Sequence, residues 1–122
     1  MIENLQRLVN ADAALVRRGR WMTADVLLGI GDDAYLVVIR EGRIETVATA
    51  NAFVRSYDFA IYGTADAWAE FWKPVPKPRH HDIIALVREG KMHMEGNIEL
   101  AMAHFLTLKL MLEKPRHAGV RS

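Results

Sequence analysis

Apolar residues near the N-terminus recur at helical spacing, at Leu5, Leu8, Val9, Leu15 and Val16, which predicts an amphipathic helix over 3–18. Arg17 and Arg18 suit the negative end of its dipole, and Gly19 supplies a left-handed stop. Beyond Trp21 the pattern changes to short β-type runs at 24–30, 34–39 and 44–48, separated by Gly31-Asp32-Asp33 and by Glu41-Gly42. Such spacing reads as an antiparallel meander. Across 55–62, Tyr57, Phe59 and Ile61 alternate with Ser56, Asp58 and Ala60, the period of a strand with one buried face.

Gly63-Thr64 then provides a breaker and an N-cap. Trp68, Phe71 and Trp72 fall on one side of a helix expected at 65–72. The run 73–78 carries proline at every second position, so an extended connector is expected there. Asp82 caps a helix that runs through Glu89 to Gly90, residues 91–95 form a fifth strand, and Gly96-Asn97 turns the chain into a long apolar helix from Ile98 to about Glu113. Pro115 stops it, and 114–122 is expected to be a flexible basic tail. Helices are thus segregated around a five-stranded, mainly antiparallel sheet: an α+β fold.

Composition narrows the function classes. At 122 residues, the chain is expected to form one domain over 1–122, and 51% apolar with 25% charged residues excludes disorder as the main state. With no cysteine, thiolate metal sites, disulfides and cysteine nucleophiles are excluded. A net charge of +1 gives no basis for general nucleic-acid binding. No apolar run reaches membrane-spanning length, and the N-terminus lacks the order of a signal peptide, so a cytoplasmic protein is expected.

On the wheel of the C-terminal helix, Glu99, Lys109 and Glu113 share a polar arc, while Leu100, Ala101, Phe105, Leu108, Met111 and Leu112 fill the opposite one, with His104 among them. Together with Trp68, Phe71, Trp72, Met92 and Met94, the C-terminal half carries a large, soft apolar surface. Apolar patterning does not distinguish a filled core from a cavity wall.

A longer motif adds to this. Gly90-Lys91-Met92-His93-Met94-Glu95-Gly96-Asn97 followed by Leu100-Ala101-Met102, with Asp58-Phe59-Ala60-Ile61-Tyr62-Gly63-Thr64 and Trp68 upstream, resembles the sterol carrier protein 2 (SCP2) family, as a small stand-alone bacterial-type member. The resemblance implies a five-stranded sheet covered by helices, enclosing an apolar tunnel that takes sterols, fatty acids or fatty acyl-CoA. On that basis Trp68, Trp72, Met94, Met102, Phe105 and Leu108 are candidate walls. His104 is either a core histidine or the polar anchor of a bound lipid. The implied function is binding or transfer, without catalysis or cofactor.

The polar residues offer little else. His80, His81, His93 and His104 lack the spacing of a metal site, and no His-x-x-x-His pair occurs on one helix. Neither Ser56 nor Ser122 lies in a nucleophile elbow. Lys73, Lys77, Arg79, Arg88 and Lys91 make 73–93 locally basic, suiting an anionic head group or a transient membrane contact through Lys73, Lys77 and Arg79. Two alternatives remain. One is a small pocket enzyme resembling the nuclear transport factor 2 (NTF2)-like isomerases and hydrolases, which requires 98–113 to be extended. The other is an accessory module, a homodimer included, that buries its C-terminal helix against a partner chain.

Overall fold

Asp12 interrupts the N-terminal apolar pattern and decides how the chain enters the fold. In the computed structural model, which describes residues 2–50, 56–73, 75–76 and 82–117, its Oδ1 accepts the Leu15 N–H at 3.0 Å. The helix expected over 3–18 is therefore two: α1 at Leu5–Asn10, preceded by a 3₁₀ turn at Ile2–Asn4, and α2 at Ala13–Arg18. The cap supports the interruption, since it satisfies an amide that a fresh helix start would otherwise leave unpaired. Gly19 ends α2, as the sequence predicts, although with φ −91° rather than a left-handed one.

The meander follows as β1 (Ala24–Ile30), β2 (Asp33–Arg40) and β3 (Arg43–Ala50). Its second turn places Glu41 and Gly42 at φ 52° and 82°. Gly42 is required there twice over, because a Cβ would lie 2.5 Å from the Val16 carbonyl oxygen. β4 (Phe59–Gly63) lies parallel to β1, and β5 (Met92–Gly96) antiparallel to β4. The order is β3-β2-β1-β4-β5, with a single parallel pairing, so the sheet is mainly antiparallel.

β4 begins later than its alternation predicts, because Asp58 is used as a junction. Its backbone N–H donates to the Asp25 carbonyl (2.8 Å), its Oδ2 accepts the Asp25 N–H (2.7 Å), and its carbonyl accepts the Asn97 N–H (2.7 Å). Gly96, at φ 98°, passes so close that a Cβ would meet the Asp58 oxygen at 2.8 Å. One residue thus ties the start of β1 to the end of β5.

Thr64 and Asp82 cap α3 (Ala65–Phe71) and α4 (Ile83–Arg88) through the Ala67 and Ile84 amides, as expected from sequence. The C-terminal helix is not continuous. It breaks at His104 into α5 (Ile98–Ala103) and α6 (Phe105–Glu113). α5 packs on β4 whereas α6 packs on α1 and α2, and one straight rod cannot follow both neighbours. The chain from Lys114 to His117 is a 3₁₀ turn rather than the start of a free tail: Arg116 is buried, its Nε–H donates to the Phe71 carbonyl (3.0 Å), and its guanidinium lies 4.8 Å above the Phe71 ring. Residues 118–122 lie outside the described residues.

The core lies between the helices and one face of the sheet, built from alternate strand positions: Ala24, Val26 and Leu28, Val37 and Ile39, Ile44, Phe59 and Ile61, and Met92. The opposing side comes from Leu5 and Val9 of α1, Trp68 and Phe71 of α3, Ile83 and Leu86 of α4, and Leu108, Met111 and Leu112 of α6.

Candidate functional site

At the seam between the sheet and α6 lies an enclosed void of about 10 Å³. It is lined by Leu5, by Val26, Leu28, Val37, Ile39 and Ile44 of the sheet, and by Leu108, Met111 and Leu112 of α6. No lining side chain has a polar atom that could hold a water. In volume the void is about what a single water needs, against roughly 300–1,000 Å³ for an ordinary ligand pocket. This seam is a nearly filled core, and Met111 is its most deformable wall.

The sequence candidates are distributed around this seam rather than gathered in it. Leu108 lines the void. Trp68 is fully buried, with its Nε1–H donating to the Gly29 carbonyl (2.9 Å), and Trp72 donates from Nε1 to the Leu112 carbonyl (2.8 Å). Their ring centroids lie 4.9 Å apart, and Phe71 meets Trp68 edge-on at 5.8 Å. The two indoles fix α3 to β1 and to the C-terminal end of α6, and neither lines the void.

Met94 sits opposite Ile61 on the inner face of the edge strand and is half-buried. Met102 is 42% exposed, and Phe105 is half-buried. His104 occupies the break between α5 and α6, half-buried, with no side-chain hydrogen bond to another described residue. These four residues lie outside the void. Reading one straight helix places residues 98–113 on a single wheel, and the break at His104 dissolves that common face. The inward strand positions Val26, Leu28, Val37, Ile39 and Ile44 are the wall residues that the sequence candidates miss.

Polar groups cluster on the opposite side of β4 and β5. The Tyr57 hydroxyl donates to Glu95 Oε1 (3.2 Å), His93 Nε2 lies 3.4 Å from Glu95 Oε2, and the Tyr62 and His93 rings stack at 6.4 Å. Partial burial, followed by the Tyr57 hydroxyl and the Glu95 carboxylate, raises the Tyr62 pKa to about 12. Among the described residues no three His, Asp or Glu side chains form a metal-ligand group. His80, His81, Lys77 and Arg79 lie outside the described residues, and Lys73 pairs with Glu70 at 2.8 Å.

A far larger concavity lies elsewhere, an open groove of about 670 Å³ between α2 and the end of α6. Ala14, Leu15 and Leu110 contribute its apolar lining, and Asp12, Arg17, Arg18, Arg20, Glu113 and Lys114 its charged lining. Lys114 Nζ reaches Asp12 Oδ2 at 2.6 Å, which together with the Leu15 amide lowers the Asp12 pKa.

A five-stranded sheet in the order β3-β2-β1-β4-β5, with α6 across its apolar face, can be compared directly with solved structures. A crystal structure of sterol carrier protein 2 superposes with a TM-score of 0.74 over 94% of this chain and 92% of its own, at 14% identity. The fold is that of SCP2. A conserved hypothetical protein of Thermus thermophilus shares the SCP2 fold at a TM-score of 0.72 and 14% identity, covering 94% of this chain and 82% of its own. The ubiquinone synthesis protein UbiJ-SCP2 does so at 0.60 and 13%, covering 97% and 89%. No protein-family model matches the sequence, nor does any curated protein. The SCP2 fold therefore rests on geometry, and the helical state of 98–113 removes the condition that the NTF2-like alternative required.

Proposed function

We propose that this domain binds or transfers one apolar ligand, a fatty acyl chain or related lipid, at the seam between the sheet and α6. The observation that carries the reading is the wholly apolar void at that seam, roofed by a helix that is already broken from its predecessor at His104. Entry requires α6 to lift and Met111 to repack, so the ligand makes its own space. Burial contributes about 0.8 kcal/mol per methylene, so a chain of about ten carbons offsets an opening cost of several kcal/mol. The mechanism is binding rather than chemistry: the wall offers no nucleophile, acid or base. A neighbour named for ubiquinone synthesis beside others named for sterol carriage favours a broad ligand class over sterol alone.

Native mass spectrometry of the purified full chain, followed by denaturing lipid extraction and displacement of a fluorescent fatty acid, tests this. Expected is a retained lipid at near-unit occupancy, or saturable displacement that Leu108→Trp abolishes by filling the void. An empty protein that binds no fluorescent fatty acid overturns the proposal. A second reading, an accessory module, is favoured by Ile98, Met102 and Leu106, which are 40%, 42% and 53% exposed at four-residue intervals across the helix break. Sedimentation as a concentration-independent monomer removes a homodimer.

A further inference from the structure

The chain as a whole is almost neutral, yet the groove between α2 and the end of α6 gathers four cations against two carboxylates. Both carboxylates are engaged. Asp12 holds Lys114 and caps α2, and Glu113 holds Lys109 at 3.0 Å with Arg116 at 3.8 Å. Among the described residues no carboxylate pairs with Arg17, Arg18 or Arg20. The Arg20 side chain is held in place by donating from Nη1 to the Arg17 carbonyl (2.9 Å) and by lying 5.4 Å over the exposed Trp21 ring. Arg17, Arg18 and Arg20 thus line one concavity together with Ala14, Leu15 and Leu110, and none of the three spends its charge on a carboxylate of the described residues. Complementing the C-terminal dipole of α2 explains Arg17 and Arg18 in its last turn, but not Arg20 beyond it.

We propose that this groove is a binding site for a phosphate ester: Arg17, Arg18 and Arg20 hold the phosphate oxygens, and the groove's apolar lining takes the first carbons of the esterified chain. Guanidinium forks match tetrahedral oxyanions bidentately, and Lys114 adds a point charge once its pairing with Asp12 is shared. Concavity favours a discrete molecule over a flat bilayer. α6 separates the groove from the inner void, since Leu110 and Glu113 face one and Leu108, Met111 and Leu112 the other. A phosphorylated amphiphile therefore spans the helix, head in the groove and chain in the seam. The chain half of this statement rests on the function proposed above; the head half does not.

Calorimetry on the full chain tests it with three probes: inorganic pyrophosphate, dodecyl phosphate below its micelle concentration, and phosphatidylcholine vesicles with and without phosphatidylglycerol. Expected is one saturable site for dodecyl phosphate, weakened by about tenfold or more in Arg17→Gln/Arg18→Gln/Arg20→Gln, as loss of charge-assisted hydrogen bonds demands. Arg43→Gln/Arg88→Gln, two exposed arginines elsewhere, leaves it unchanged. Pyrophosphate that binds as tightly as dodecyl phosphate and shows the same arginine dependence supports the site and makes free phosphate its source. Shifts of the amides of residues 14–20 on adding pyrophosphate to the unaltered protein report the same site without a variant. If Leu108→Trp leaves dodecyl phosphate binding intact while the triple variant weakens it, the phosphate site stands and the interior seam fails as a ligand site. Absence of saturable binding to either phosphate, binding to vesicles alone, or indifference to the triple variant overturns the proposal.

Discussion

Leu108→Ala separates a ligand seam from an ordinary core. Leu108 is 1% exposed and lines the void, so truncation removes about three carbons' worth of burial, roughly 2.4 kcal/mol at ~0.8 kcal/mol each. The space left open adds about 24 cal/mol per Å³, or ~1 kcal/mol if some 40 Å³ stays unfilled. A total near 3.5 kcal/mol corresponds to a fall in Tm of roughly 10–17 °C for a domain of this size. Leu86→Ala is the matched control: equally buried, in α4, and not part of the void's lining. Thermal unfolding with and without decanoic acid provides the readout. In Leu108→Ala part of the cavity cost is already met, so its Kd should be lower and, at one fixed ligand concentration, the ligand should return more stability than in the unaltered chain, about 2.7 kcal/mol where that concentration is a hundredfold above the variant's Kd. Leu86→Ala should gain no more than the unaltered chain does. Equal rescue of the two variants, or none in either, refutes the assignment of the ligand to the seam.

Trp72→Phe retains most of the aromatic packing but strands the Leu112 carbonyl, and should cost about 1–3 kcal/mol in chemical denaturation. Asp12→Ala removes the α2 cap and the Lys114 partner together and should cost about 1 kcal/mol, whereas Asp12→Asn keeps the cap and should cost less. Because the Asp12 pKa is lowered in the folded state, its contribution is complete above the ordinary aspartate range and fades as pH falls through the folded value; acid denaturation of Asp12→Asn should show less of this loss. Spectrophotometric titration should show a phenolate forming at about pH 12 that Tyr62→Phe abolishes. Since that pKa is raised from 10.0, Tyr62 favours the folded state fully below pH 10, and the benefit is lost as pH rises towards 12.

Strand existence was legible in the sequence, as short apolar β-type runs such as 24–30 and as the alternation of Phe59 and Ile61 with Asp58 and Ala60 that follows from the pleat. Caps at Thr64 and Asp82 were equally plain, since the donor–acceptor match is local. Asp12 is the same kind of residue, but helical periodicity on both sides of it masks the interruption. The break at His104 carries no local signal: it is set by which elements α5 and α6 pack against. For the same reason Trp68 and Trp72 look like pocket walls in sequence. Only the positions of the Gly29 and Leu112 carbonyls reveal that their indoles are spoken for. Arg17 and Arg18 read as helix-terminal charge until the end of α6 comes to lie beside them.

An amide clamp at the sheet margin has a consequence for how the chain behaves among its own copies. β3 is an edge strand, and Asn10 both donates to the Ile44 carbonyl (2.8 Å) and accepts the Ile44 N–H (2.9 Å), while Gln6 donates to the carbonyls of Ile44 and Glu45 at 3.2 and 2.7 Å. Two side chains of α1 thereby occupy the backbone groups that an incoming strand would use, at the end of the edge where Ile44 is buried and most worth shielding. Unwinding α1 would uncover a sticky strand end at the same moment that Leu5 leaves the core. Partial unfolding of the N-terminus and aggregation through β3 are in this way the same event, and the short helix α1 acts as the molecule's guard against self-association.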